Sequence, residues 1–190
     1  MKKSILISIQ PKWCELIASG KKTVEVRKTK PKLETPFKCY IYCTNTKTLG
    51  DFILCKSEEN AKLFGYNTAK GINKGFAQTE DVQLKGKVIG EFVCDDIVVD
   101  EKGENSDILR FYGNLTHEEI WEYGRNKTIY GWHITDLVIY ENPRELSEFY
   151  TLKKCSSCKS GYESTACIYD EDCKVPVDIT RPPQSWCYVE

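Results

Sequence analysis

The sequence predicts an α+β protein: a small, mostly antiparallel β-barrel with short helices, followed by a Cys-rich C-terminal extension. Three observations predict it. β-Branched and aromatic residues concentrate in five or six short runs, with Tyr at 11, Phe at 7 and Trp at 4 of 190 residues, which favours strands. Glycines interrupt two of those runs, as where a sheet bends or bulges. Neither a Gly-rich phosphate loop nor a regular strand–helix–strand alternation occurs, which argues against a doubly wound parallel sheet.

The elements follow in order. Residues Ser4 to Gln10 alternate, with Ile5, Ile7 and Ile9 on one face, and read as a first strand. Pro11 suits the first turn of a helix; Trp13, Leu16 and Ile17 fall at helical spacing, and Gly20 suits the stop. A strand follows over Lys22 to Lys28. Phe37 to Cys43 is a strand by composition. Residues 44–86 are polar and Gly-punctuated, and read as a surface insertion with one short helix near residues 58–64. Lys87 to Val99 is the longest strand signal, with Gly90 marking a bulge or bend. Asp100 to Asp107 reads as an acidic loop. Thr116 and Glu119 form a capping box for a helix that carries Ile120, Trp121 and Tyr123. Ile129 to Tyr140 is another strand, and Arg144 to Tyr150 a short helix. The expected division is a barrel over residues 1–150 and an extension over residues 151–190 that packs on it.

Composition narrows the class. Hydrophobic content of 41% and charged content of 29% are those of an ordinary globular chain. The first apolar run is too short for a signal peptide, and nothing approaches the roughly 20 apolar residues of a membrane span. A cytoplasmic protein without a membrane partner is expected. The net charge of -1 demands no polyanion, but residues 1–38 hold +7 and leave -8 for the remainder. That asymmetry marks either an anion-binding face or a basic segment cancelled by acidic neighbours. With secretion disfavoured, the ten cysteines are not a secreted disulfide framework. Cys14, Cys39, Cys43, Cys55 and Cys94 sit mostly beside apolar residues and read as buried thiols.

The chemistry concentrates between Gly20 and Lys28. Along a strand, Val24 and Val26 point one way while Thr23, Glu25 and Arg27 point the other, about 7 Å apart. Lys22, at the junction of helix and strand, can reach the same side. Such a cluster is either a solvated face worth about 0–1 kcal/mol or the floor of a site. In a site, Arg27 offers a planar donor fork, Glu25 accepts hydrogen bonds or orients Arg27, and a buried Lys22 acts as a base. Trp13 and Trp132 are candidate stacking surfaces for a base, with core packing as the alternative. His133 is either a catalytic group or a satisfied structural histidine.

A first strand, a short helix ending in glycine, and then G-x-K-x-x-E-x-R at Gly20, Lys22, Glu25 and Arg27 resemble the ASCH domain, a branch of the PUA-like β-barrels. The Lys87–Phe92 stretch and the Tyr130–Asp136 stretch resemble its later strands, so the likeness spans roughly residues 4–140. The resemblance implies RNA or a modified nucleoside held in a cleft between the first helix and the barrel mouth. Ligand contacts then fall to Arg27, Thr23, Trp13 and Trp132. One branch of the family resembles an amidohydrolase acting on acylated cytidine through a Lys, a Thr and a remote Glu. Lys22 matches that Lys, while Glu25 stands at the Thr position. A hydrolase with Lys22 and Glu25 as acid and base is therefore the alternative to a binding module.

Cys155, Cys158, Cys167 and Cys173 give four thiols within a polar segment too poor in apolar residues to build its own core. Four soft ligands suit structural zinc, with Cys187 able to replace one of them. Free thiols, a redox pair and a zinc-containing interaction adaptor are the other readings. The closing Arg181–Glu190 segment is either a lid that places Arg181, Gln184, Ser185 and Trp186 over the pocket or a strand pinned by Trp186.

Overall fold

The computed structural model describes residues 3–45, 53–54, 82–101, 103–154 and 174–190. Strand β1 (Ser4–Ile9) leads into helix α1 (Pro11–Ala18), then β2 (Val24–Arg27) and β3 (Phe37–Cys43). Short strands β4 (Ile53–Leu54) and β5 (Val82–Gln83) pair with each other. Next come β6 (Val88–Cys94), β7 (Ile97–Asp100), α2 (Ser106–Gly113) and α3 (His117–Gly124). The chain continues through β8 (Ile129–His133), β9 (Thr135–Arg144), a 3-10 turn at Leu146–Glu148, β10 (Tyr150–Lys154), β11 (Lys174–Asp178) and β12 (Trp186–Val189).

A five-stranded sheet in the order β12-β1-β3-β6-β9 forms the centre, with β1 and β3 parallel and the other neighbours antiparallel. A three-stranded antiparallel sheet, β2-β8-β7, stands beside it. The expected barrel does not close: among the described residues β9 and β12 are edges of one sheet, and β2 and β7 edges of the other. The reason lies in two corners. The stretch expected as one strand over Lys87–Val99 breaks at Asp95–Asp96 and passes from the larger sheet to the smaller. Aspartate disfavours a ladder and favours a turn. The strand expected over Ile129–Tyr140 breaks likewise at Ile134 and crosses back. The His133 N–H donates to the Asp96 carbonyl at 3.0 Å, so the two corners meet. The Ile134 N–H, in turn, donates to the Thr23 carbonyl at 2.9 Å and fastens the corner to the start of β2.

The main core packs Ile5, Ile7 and Ile9 of β1 against Cys39, Ile41, Ile89, Phe92 and Trp132. A second small core sets Val24 and Val26 against Leu109, Ile120 and Ile129 beneath α2 and α3. Helix α2 begins inside the stretch expected as an acidic loop and takes up its last two residues, Ser106 and Asp107; only Leu109 and Gly113 of it are buried, too weak a pattern to read as a helix. The capping box at Thr116 and Glu119 is present, with both reciprocal bonds made. Cys14, Cys39, Cys43 and Cys94 are buried thiols, as expected. Cys55, the helix expected near residues 58–64, most of the 44–86 insertion and the proposed zinc ligands Cys155, Cys158, Cys167 and Cys173 lie outside the described residues. Within the expected 151–190 extension, β12 is a full member of the central sheet. No helix among the described residues is long and apolar enough to cross a membrane.

Candidate functional site

Helix α1 ends where Gly20 takes a left-handed φ of 71°, which a glycine adopts without steric cost. The Lys21 and Lys22 amides then both donate to the Leu16 carbonyl, at 2.9 and 3.0 Å, and turn the chain inward. This turn drives the Lys22 side chain into the protein, where it is 2% exposed. Its ammonium donates to the Gly113 carbonyl at the end of α2 at 2.7 Å and lies 3.4 Å from Glu25 Oε2.

Alternation along β2 then sets the floor. Val24 and Val26 enter the small core, and Glu25 and Arg27 face the other side. That side is not solvated: Glu25 is 5% and Arg27 8% exposed. Arg27 Nη2 sits 2.9 Å from Glu25 Oε1 and donates to the Ser8 carbonyl at 2.7 Å. Its Nη1 reaches the Ser185 hydroxyl at 3.5 Å. Arg27 Nε makes no hydrogen bond within the protein, and Glu25 Oε2 has the Lys22 ammonium at 3.4 Å as its partner. Both atoms are enclosed by protein, so the floor of the cleft is a buried ion network that fixes Lys22, Glu25 and Arg27 relative to one another.

The electrostatics follow from burial. Desolvation holds the Lys22 ammonium below its ordinary range, and the Glu25 carboxylate opposes part of that shift. Glu119, at the mouth, is held below the usual carboxylate range by the Thr116 N–H, with help from Lys12.

Above this floor lies a cleft of about 1150 Å³ between α1, α3 and the C-terminal segment. Trp13 forms part of one wall, Trp121 and Tyr123 another, and Pro182, Pro183 and Gln184 a third. The Lys12 and Lys22 ammonium groups lie 4.2 and 5.0 Å from the Trp13 ring centre. The structure thus brings together Lys22, Glu25, Arg27 and Trp13. It does not bring Trp132 or Thr23 to the cleft. Trp132 is fully buried, edge-on to Phe37 and tilted against Trp186. Thr23 precedes β2 and takes part through its backbone, donating to the Tyr112 carbonyl at 2.9 Å. His133 stands at the sheet corner, paired to Asp95 at 2.7 Å.

Sequence reasoning missed Ser8, Gly113, Trp121, Arg125 and Asn126. Ser8 belongs to a strand read for its isoleucines, and Gly113 acts through a carbonyl of an unforeseen helix. Trp121 had a signal: in α3 it falls beside the inward residue Ile120. Both readings of the C-terminal segment hold in part. Pro182 to Gln184 wall the cleft, while Trp186 begins a strand and donates its indole N–H to Thr29 at 3.0 Å.

Fold and site together define a mixed α+β protein organised around one cleft with a buried lysine–glutamate–arginine floor. The chain belongs to the ASCH domain family, whose model matches residues 7–176. The family is PUA-like, and RNA binding is proposed for it. Among solved structures the chain is similar to ASCH from Zymomonas mobilis, at 16% identity and a TM-score of 0.55, over 98% of this chain and 87% of that one. A tyrosine-to-phenylalanine variant of the same protein matches at 16% identity and TM-score 0.55 over 100% and 91%. At that identity the likeness speaks to the fold. No curated protein matches the chain.

Proposed function

We propose that this protein binds RNA or a modified nucleoside, with the ligand's base seated against Lys22, Glu25 and Arg27. The observation that supports the reading is the buried Lys22–Glu25–Arg27 network at the floor of a cleft whose walls include Trp13, Trp121 and Tyr123. A planar heterocycle carries donors and acceptors along one edge, which suits a cleft floor that combines cationic and anionic side chains. Shape favours a nucleoside-sized group over a polymer lying in a groove. A volume of about 1150 Å³ lies just above the ~300–1,000 Å³ of small-molecule pockets and has ample room for a nucleoside. Tyr123 and Trp13 contribute aromatic surface to the walls, each with a lysine ammonium against its ring.

Calorimetric titration of a panel of natural and modified nucleosides tests the reading. The wild-type protein is expected to bind at least one member, and Arg27→Lys to weaken that binding by about tenfold or more, because lysine keeps the charge and loses the fork. Near-UV circular dichroism establishes that the variant is folded. Unchanged affinity in a folded Arg27→Lys protein overturns the reading.

A second reading, hydrolysis of an acylated cytidine or of RNA, is favoured by the lowered proton affinity of Lys22. A lysine held toward its neutral form is a usable base at lower pH than a free one. Lys22→Ala is then expected to abolish product, and a wild-type protein without product across both substrate classes removes the idea.

The structural zinc at Cys155, Cys158, Cys167 and Cys173 is a further proposal, and the hairpin around that segment supports it. Lys154 and Lys174 are ladder partners, so a cysteine adjoins each end of the last pair. Elemental analysis is expected to find about one zinc per chain, lost in Cys155→Ser. Metal-free wild-type protein overturns the proposal.

A further inference from the structure

A second cavity of about 720 Å³ lies on the far side of α3. Trp121, Arg125 and Asn126 line both it and the main cleft, so the two spaces share one ridge. The ridge is unusual in two ways. Trp121 is 66% exposed, although its neighbours Ile120 and Tyr123 pack in the small core. A tryptophan left this open, between two cavities, offers a stacking face on an otherwise polar rim. Arg125, the left-handed cap of α3, and Asn126 then take consecutive left-handed conformations, φ 47° and 59°. The turn is held by the Arg125 N–H on the Trp121 carbonyl at 2.8 Å and the Lys127 N–H on the Gly124 carbonyl at 3.0 Å.

The second cavity has its own chemistry. Its lining includes Lys127, His117, Glu118 and the buried Asp100. Asp100 Oδ1 faces the Asn105 N–H at 3.5 Å, a long contact that leaves acceptor capacity. A lining that combines Arg125 and Lys127 with Asp100 and Glu118 matches a phosphate joined to a group that donates hydrogen bonds, such as a ribose or an amino-bearing base.

We propose that the ligand is two nucleotides long: one base sits on the Lys22–Glu25–Arg27 floor, the linking phosphate crosses the ridge at Arg125 and Lys127, and the second nucleoside enters the adjoining cavity with Trp121 as the stacking face. This rests on the nucleoside reading of the main cleft and adds a second subsite to it.

The test compares ribodinucleoside monophosphates with their component nucleosides, by calorimetry and by quenching of tryptophan fluorescence, on wild-type protein, Trp121→Ala and Arg125→Ala. Trp121 and Arg125 are exposed, so both variants are expected to fold. In the wild type the preferred dinucleotide is expected to bind about tenfold or more tighter than either nucleoside, in line with one added stack. Each substitution is expected to bring the ratio of dinucleotide to nucleoside affinity down to about threefold or less; both residues also line the main cleft, so the readout is that ratio and not the nucleoside affinity. A dinucleotide that binds no tighter than its nucleosides overturns the second subsite and leaves the first intact. An advantage that survives both substitutions does the same. Absence of binding by every nucleoside and dinucleotide overturns the cleft reading itself, and this inference with it.

Discussion

Lys22 sets the local energetics of the site. A lysine 2% exposed has lost nearly all its hydration, and its compensation comes from the Gly113 carbonyl and the Glu25 carboxylate. Burial still wins, and the ammonium is held below its ordinary value of 10.5. The sign of the consequence is fixed. Between the folded-state value and 10.5, the unfolded chain carries the proton and the folded chain does not. Stability contributed at this residue therefore rises with pH through that window, by at most about 1.4 kcal/mol per pH unit. Urea denaturation of wild type and Lys22→Met across the alkaline range is expected to show the rise in the wild type only. Parallel curves count against a perturbed Lys22. The identities of this cluster were legible, because alternation along a short strand requires Glu25 and Arg27 to share a face. Its burial was not, because the covering residues come from Gly113, Ser8 and Ser185, far away in the chain.

At the scale of elements, the strands were legible and their breaks were not. Gly90 illustrates the first half. Its place inside a strong strand pattern implied a bulge, and the ladders on both sides of β6 slip register beside it. A Cβ at this position would collide with the Val138 carbonyl and come within 3.1 Å of the Ile139 side chain. The first obstacle is backbone in the neighbouring strand and cannot rotate away. Gly90→Ala is thus expected to cost at least the ~1–3 kcal/mol usual for overpacking, read as a lower urea midpoint. A variant as stable as wild type would mean that β9 shifts freely, against its place in the ladder. The corners at Asp95–Asp96 and Ile134 illustrate the second half. A strand that leaves one sheet for another keeps its side-chain alternation, so hydrophobic pattern alone does not show the crossing.

At the scale of the whole molecule, the excess positive charge of residues 1–38 decides between a site for a small ligand and a surface for a polymer. The structure spreads that charge instead of pooling it. Lys22 and Arg27 are spent on Glu25, Lys12 pairs with Glu119, and Lys38 pairs with Glu91. Lys28 lies over Tyr123 and Lys30 over Tyr130. Charged residues on the cleft wall alternate in sign: Lys22, Arg27 and Arg125 against Glu25, Glu119 and Glu122. Charges so balanced among the described residues at the cleft favour a small ligand there over a long polyanion, because affinity for a nucleic-acid backbone grows with the number of phosphates neutralised. Each phosphate contact on a single strand adds about 0.7 to the slope of log affinity against log salt. Binding of a nucleoside is therefore expected to be almost independent of salt, and binding of a dinucleotide to show a slope near a single contact, in titrations over a tenfold range of sodium chloride. A slope worth several contacts for a longer RNA would relocate recognition from the cleft to a basic track elsewhere on the surface.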